Sequence, residues 1–130
     1  MKQSLILATF LLLSAGCRKT PQYPSAKFKG TYVGTETVTS KDANGITYSF
    51  TNAKTFNIDT YGEDKVIYNT LTGFVKGNEF YISNYRDLPF RQVEGTGNLV
   101  RDILIYNEIV TSYRNGSTTS MTKTIVAVLQ

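Results

Sequence analysis

From Phe28 onward turn signals interrupt the chain about every 8–15 residues, and no window of a dozen residues between them spaces its apolar side chains at three and four as a helix requires. Such a chain can fold only as short strands. The signals are Asp42-Ala43-Asn44-Gly45, Tyr61-Gly62-Glu63-Asp64, Lys76-Gly77-Asn78, Asp87-Leu88-Pro89, Val100-Arg101-Asp102 and Asn115-Gly116. The two Asn-Gly pairs are the strongest, because both central residues of a tight hairpin can take positive φ.

The segments between them alternate. In the first, Phe28, Gly30, Tyr32 and Gly34 share one face, and Lys29, Thr31, Val33 and Thr35 share the other. Ile46, Tyr48 and Phe50 share a face in the next. In KVIYNTL, read as one strand, Ile67 goes with Leu71 and Val66 with Tyr68. Both faces are apolar from Ile103 to Tyr106, which implies cover on two sides. The last strand sets Thr122, Thr124, Val126 and Val128 against Met121, Lys123, Ile125 and Ala127. Nine Tyr, seven Phe and abundant Thr suit a pleated, half-buried surface.

Seven or eight strands joined by short hairpins make an all-β antiparallel meander. A β-sandwich and a β-barrel both fit this pattern. The barrel is preferred, because closure removes edges from strands rich in Thr, Ile and Val. Alternate glycines at Gly30 and Gly34, and at Gly95 and Gly97, suit a sheet that coils on itself.

The first 16 residues follow another rule. Met1-Lys2 is a short positive start, Leu5 to Leu13 is apolar apart from Thr9, and Ser14-Ala15-Gly16 supplies small residues. This is the pattern of a secretory signal, expected to be helical before removal and too short to span a bilayer. The only cysteine, Cys17, follows directly. The arrangement resembles the lipobox of bacterial lipoproteins, although Ser14 stands where the pattern usually has a large aliphatic residue, with Leu13 one further out. In that family the thiol takes a diacylglycerol, the chain is cut before the cysteine and the new N-terminus is acylated. The resemblance implies a lipid anchor on Cys17, and Arg18 in place of an acidic residue implies the outer membrane, on either side of it. A lone thiol in an oxidising compartment has no internal disulfide partner, and acylation removes that liability. Residues 17–27, with two prolines and no periodicity, read as a lipidated tether, and 28–130 as the folded domain.

FKGTYVGT, VEGTGNL, ILIYNEIVTSYRNGSTT and the Thr-rich last strand together resemble small lipocalin-like bacterial lipoproteins. That resemblance covers 17–130 and implies one up-and-down barrel behind a lipidated cysteine. It implies no activity.

The composition argues against turnover. The chain has no histidine, so the commonest general base and the commonest metal ligand are both missing. With one cysteine there is no zinc set of His and Cys ligands and no nucleophile–histidine pair. Asp59, Glu63 and Asp64 cluster around one turn but match no calcium loop. Glu94, Asp102 and Glu108 are scattered carboxylates of the kind any such chain contains. The expectation is a non-enzymatic protein without cofactor or metal. A net charge of +4, with no block of like charge beyond Arg18-Lys19, gives no nucleic-acid footprint.

Binding remains. The preferred reading is a binder of a small apolar or amphipathic ligand, with Tyr32, Tyr48, Phe50, Tyr68, Phe80 and Tyr106 lining its pocket; the alternative is that they fill the barrel as core. If they fill it, the expected role is that of an accessory protein docking a partner protein through its outer face or loops, where Tyr61 and Tyr85 lie.

Overall fold

The computed structural model describes residues 22–88 and 91–130, with the backbone alone over 84–88. The segment read as a signal and Cys17 lie outside these residues. A single 3-10 turn, Ala26–Phe28, precedes eight strands: β1 Gly30–Lys41, β2 Thr47–Thr60, β3 Lys65–Tyr68, β4 Leu71–Lys76, β5 Glu79–Leu88, β6 Arg91–Val100, β7 Ile103–Arg114 and β8 Ser117–Leu129.

Each strand pairs antiparallel with the next, and β1 also pairs with β8, from Tyr32 opposite Leu129 to Lys41 opposite Ser120. The eight strands therefore form one sheet closed in a ring, not two stacked sheets. The start of β1, the end of β8 and the β2–β3, β4–β5 and β6–β7 turns gather at one end, the N-terminal end. The β1–β2, β3–β4, β5–β6 and β7–β8 connections gather at the other.

Turn chemistry departs from expectation in two places. KVIYNTL is a hairpin, not a strand. Asn69 and Thr70 take φ of 48° and 68° and reverse the chain, so Leu71 joins Tyr68 and Val66 on the inner face and not Ile67. A β-branched residue with positive φ is unusual, which is why the turn gave so weak a signal. In the β1–β2 loop only Gly45 has positive φ. The loop is held instead by the Asp42 carboxylate, which accepts from the backbone N–H of Asn44 at 2.9 Å and of Ile46 at 2.8 Å. Asn115 and Gly116 do form the expected turn, at φ 51° and 77°.

The alternation read for β1 and β8 is the one that forms. Tyr32, Glu36, Val38, Ile125 and Ala127 are buried, and Val33, Val126 and Val128 face out. Packing begins before β1. Ser25 is buried, its Oγ donating to Gly62 O at 3.0 Å and its N–H to Glu63 O at 3.0 Å. This straps the incoming chain to the β2–β3 turn. Phe28 then lies across the N-terminal end of the ring as a plug.

Candidate functional site

The interior is built in layers. At the N-terminal end the aromatic rings touch in sequence. Phe28 meets Phe80 edge-on at 5.4 Å, Phe80 stacks on Tyr106 at 5.8 Å, and Tyr106 meets Tyr68 at 4.8 Å. Tyr68 meets Phe56 at 5.2 Å, and Phe56 stacks on Tyr32 at 5.4 Å. The Tyr32 hydroxyl donates to Phe28 O at 2.9 Å and closes the circuit. Aromatic pairs in these geometries contribute about 0.5–1.5 kcal/mol each beyond the area they bury.

Two glycines of β6 make room for these rings. A Cβ on Gly97 would sit 2.1 Å from the Phe80 ring, and one on Gly95 would sit 2.4 Å from the Tyr106 hydroxyl. These glycines let the side chains of the neighbouring strands β5 and β7 lie over β6.

Four of the six aromatic residues expected to line a pocket, Tyr32, Tyr68, Phe80 and Tyr106, are thus core. The other two, Tyr48 and Phe50, are 55% and 52% exposed. Their register partners, Ser40 and Val38, place them on the inner face of β2. That face is not enclosed, because β3 pairs with β2 only at Ile58, Asp59 and Thr60. Over Thr47–Asn57, among the described residues, β2 has no neighbour on that side. Likewise β4 meets β5 only through Phe74, Val75 and Lys76. The wall is notched above the β3–β4 turn, and the β1–β2 hairpin overhangs the notch.

Between the aromatic layer and the notch lies a polar layer that the sequence reading missed. Lys123 Nζ is 3.1 Å from Glu108 Oε1 and 3.9 Å from Glu36 Oε2, and Lys54 Nζ is 3.4 Å from Glu36 Oε2. Among the described residues Glu36 Oε2 makes no hydrogen bond of good geometry and faces the ammonium groups of Lys54 and Lys123. The Tyr106 hydroxyl donates to Glu108 Oε2 at 2.7 Å and joins this layer to the core. The signal was present in the sequence as charged residues on otherwise apolar faces, Glu36 in line with Tyr32 and Lys123 in line with Ile125.

Burial pushes the Tyr32 phenol up to about 12, helped by the charge of Asp102. Burial also raises the Tyr68 and Tyr106 phenols, followed by the Glu108 charge for Tyr68 and the hydrogen bond to Glu108 for Tyr106. All three are neutral hydrogen-bonding groups at any physiological pH.

A cleft of about 220 Å³ opens onto the polar layer, lined by Leu71, Val93, Arg91, Glu108, Lys123 and the Asn69-Thr70 turn. It offers two apolar side chains beside two cations and one carboxylate. A larger hollow of about 360 Å³ lies on the outer wall of β5–β7, against Tyr81, Glu94 and Ile109.

The carboxylates weighed from sequence do not converge. Glu94 faces outward and accepts from Gln92, Asp102 sits in the β6–β7 turn, and only Glu108 points inside. Asp59 is held below the usual carboxylate range by the backbone N–H of Thr60 and then by Lys29, 3.2 Å away. Among the described residues no three His, Cys, Asp or Glu side chains group as metal ligands. Tyr61 is exposed beside Lys65 at the N-terminal end. The Tyr85 side chain lies outside the described residues. No helix among the described residues is long and apolar enough to cross a membrane. A scan against protein-family models gave no match, and no curated protein or solved structure proved similar to this chain.

Proposed function

We propose that this is a lipid-anchored, lipocalin-like accessory protein of the bacterial outer membrane, which docks a partner polypeptide at the open end of a filled ring and performs no turnover. The observation that carries the reading is the overhang of β2. Tyr48 and Phe50 stand half-exposed on an unenclosed face, beside an edge that, among the described residues, has no strand next to it. An unpaired edge with aromatic side chains on one face is the chemistry of β-strand addition by an extended segment. The interior supports the same choice, because six rings pack against one another at its N-terminal end. The buried phenols are neutral and the inner carboxylates face lysines, which argues for recognition over catalysis.

Native mass spectrometry of the full-length protein extracted in detergent tests this. A polypeptide should co-purify with the parent and be lost from Tyr48→Ser/Phe50→Ser. A second reading, a small amphipathic ligand in the cleft, is favoured by Leu71 and Val93 lying beside Arg91 and Lys123. A co-purifying small molecule, lost on Val93→Asp and kept by the Tyr48→Ser/Phe50→Ser variant, would replace the first reading with the second. The anchor has its own test. Cys17→Ala should remain uncleaved at Gly16-Cys17 and lose labelling by a fatty-acid probe, and unchanged labelling refutes it.

A further inference from the structure

The outer wall is not uniform. Near the N-terminal end Val33 lies opposite Val128, Val128 opposite Ile103, Ile103 opposite Val100, and Val126 opposite Ile105. These six aliphatic side chains, on four adjacent strands, are all exposed. Further along the same strands the outward positions turn to Thr37, Thr39, Thr122, Thr124 and Asn107, with Thr124 Oγ1 donating to Asn107 Oδ1 at 3.0 Å; Ile109 is the one large aliphatic among them. The same wall is therefore apolar at one end and hydroxyl-lined at the other. A contiguous exposed patch of this kind marks an interaction surface.

The position of the chain's start indicates what covers it. Ser25 is strapped to the β2–β3 turn at this same end. Gln22, the first described residue, lies five positions after Cys17, and such a stretch spans at most about 18 Å. An acyl anchor on Cys17 would hold this end, and not the open one, at the bilayer.

We propose that the aliphatic patch of Val33, Val100, Ile103, Ile105, Val126 and Val128 is a membrane-contacting face, which seats the N-terminal end in the lipid interface and turns the notch away from it. The acyl chains on Cys17 would supply retention, and an apolar contact at the tethered end would fix the domain's orientation at the interface. The inference rests on the anchor reading and goes beyond the docking role.

The chain contains no tryptophan, so one placed by substitution reports its own surroundings. Full-length protein, its acylation checked by mass, is reconstituted into vesicles of phosphatidylethanolamine and phosphatidylglycerol doped with phosphatidylcholine brominated near the headgroup end of its acyl chains. Val126→Trp should emit at shorter wavelength than in detergent-free buffer and lose fluorescence to the brominated lipid. Thr122→Trp, two pleat repeats further along the same face, should keep its fluorescence. Acylated protein that floats with the vesicles while Val126→Trp stays unquenched overturns the lipid face and leaves the anchor intact. Equal quenching at both positions also overturns it, since contact would not follow the apolar half. A blue shift without quenching assigns the patch to protein contact instead. Absence of acyl mass on Cys17 removes the anchor reading and this inference together.

Discussion

At the N-terminal end of the ring six aromatic rings touch in sequence, and a 3-10 turn lies across the opening. At the opposite end β2 runs on past β3 from Asn57 to Thr47, with Tyr48 and Phe50 exposed on what should be its inner face. Both ends are made of the same alternating strands. The difference lies in whether the wall continues across the ring. Where it does, an inward aromatic becomes core. Where β3 and β4 stop short, the same residue type at the same parity becomes surface. On the proposed reading, cohesion and recognition fall to different ends, with the polar layer of Glu36, Lys54, Glu108 and Lys123 between them.

If that division is right, substitutions should sort by level in the ring. Phe80→Ala removes the ring that touches both Phe28 and Tyr106, and should destabilise by about 3–5 kcal/mol in urea unfolding. A loss under about 1 kcal/mol would mean that this end is not tightly packed. Lys123→Met leaves two inward carboxylates short of a cation they share, and should cost about 3 kcal/mol. Lys54→Met, whose ammonium is more exposed, should cost clearly less.

A third test uses alkaline pH. The Tyr32 phenol has a folded value of about 12 against 10.0 when unfolded. The unfolded state therefore releases this proton first, and the stability present below pH 10.0 is lost as pH rises through the window to about 12. Tyr68 and Tyr106 act with the same sign. Tyr32→Phe should cost about 1 kcal/mol at neutral pH, through its lost hydrogen bond, yet show a shallower fall above pH 10.0. Absorbance from the buried tyrosinates should rise late, together with unfolding. A single early stage would show that the aromatic circuit is open to water. The smallest effect is expected at the open end. Tyr48→Ser/Phe50→Ser should shift unfolding by no more than about 0.5 kcal/mol per site, although it removes two aromatic rings.

Much of this architecture was legible from parity. The inward faces of β1 and β8 follow from counting every second residue, since successive side chains must point to opposite sides of a sheet. Parity could not place Tyr48 and Phe50, because it gives a side chain's direction and not what stands across from it. That depended on the length of β3, which ends at a turn built from Asn69 and Thr70 without glycine. Phe56, stacked on Tyr32, went unread because TNAKTFNID is mostly polar and carries little visible pattern. Glu108 was legible only as a carboxylate. Its partner Tyr106 lies two residues away on the same strand, and Lys123 is set opposite it by the β7–β8 register.

The shortness of β3 and β4 has a mechanical consequence. The hairpin they form is stitched to its neighbours by three ladder positions on each side, Ile58–Thr60 and Phe74–Lys76, whereas β7 and β8 are joined along their whole length. When the closed sheet breathes, this ribbon should swing out first as one piece and uncover the edge of Tyr68. Its amides should then exchange with solvent sooner than those of β7, giving the molecule a built-in door on the side where the notch already lies.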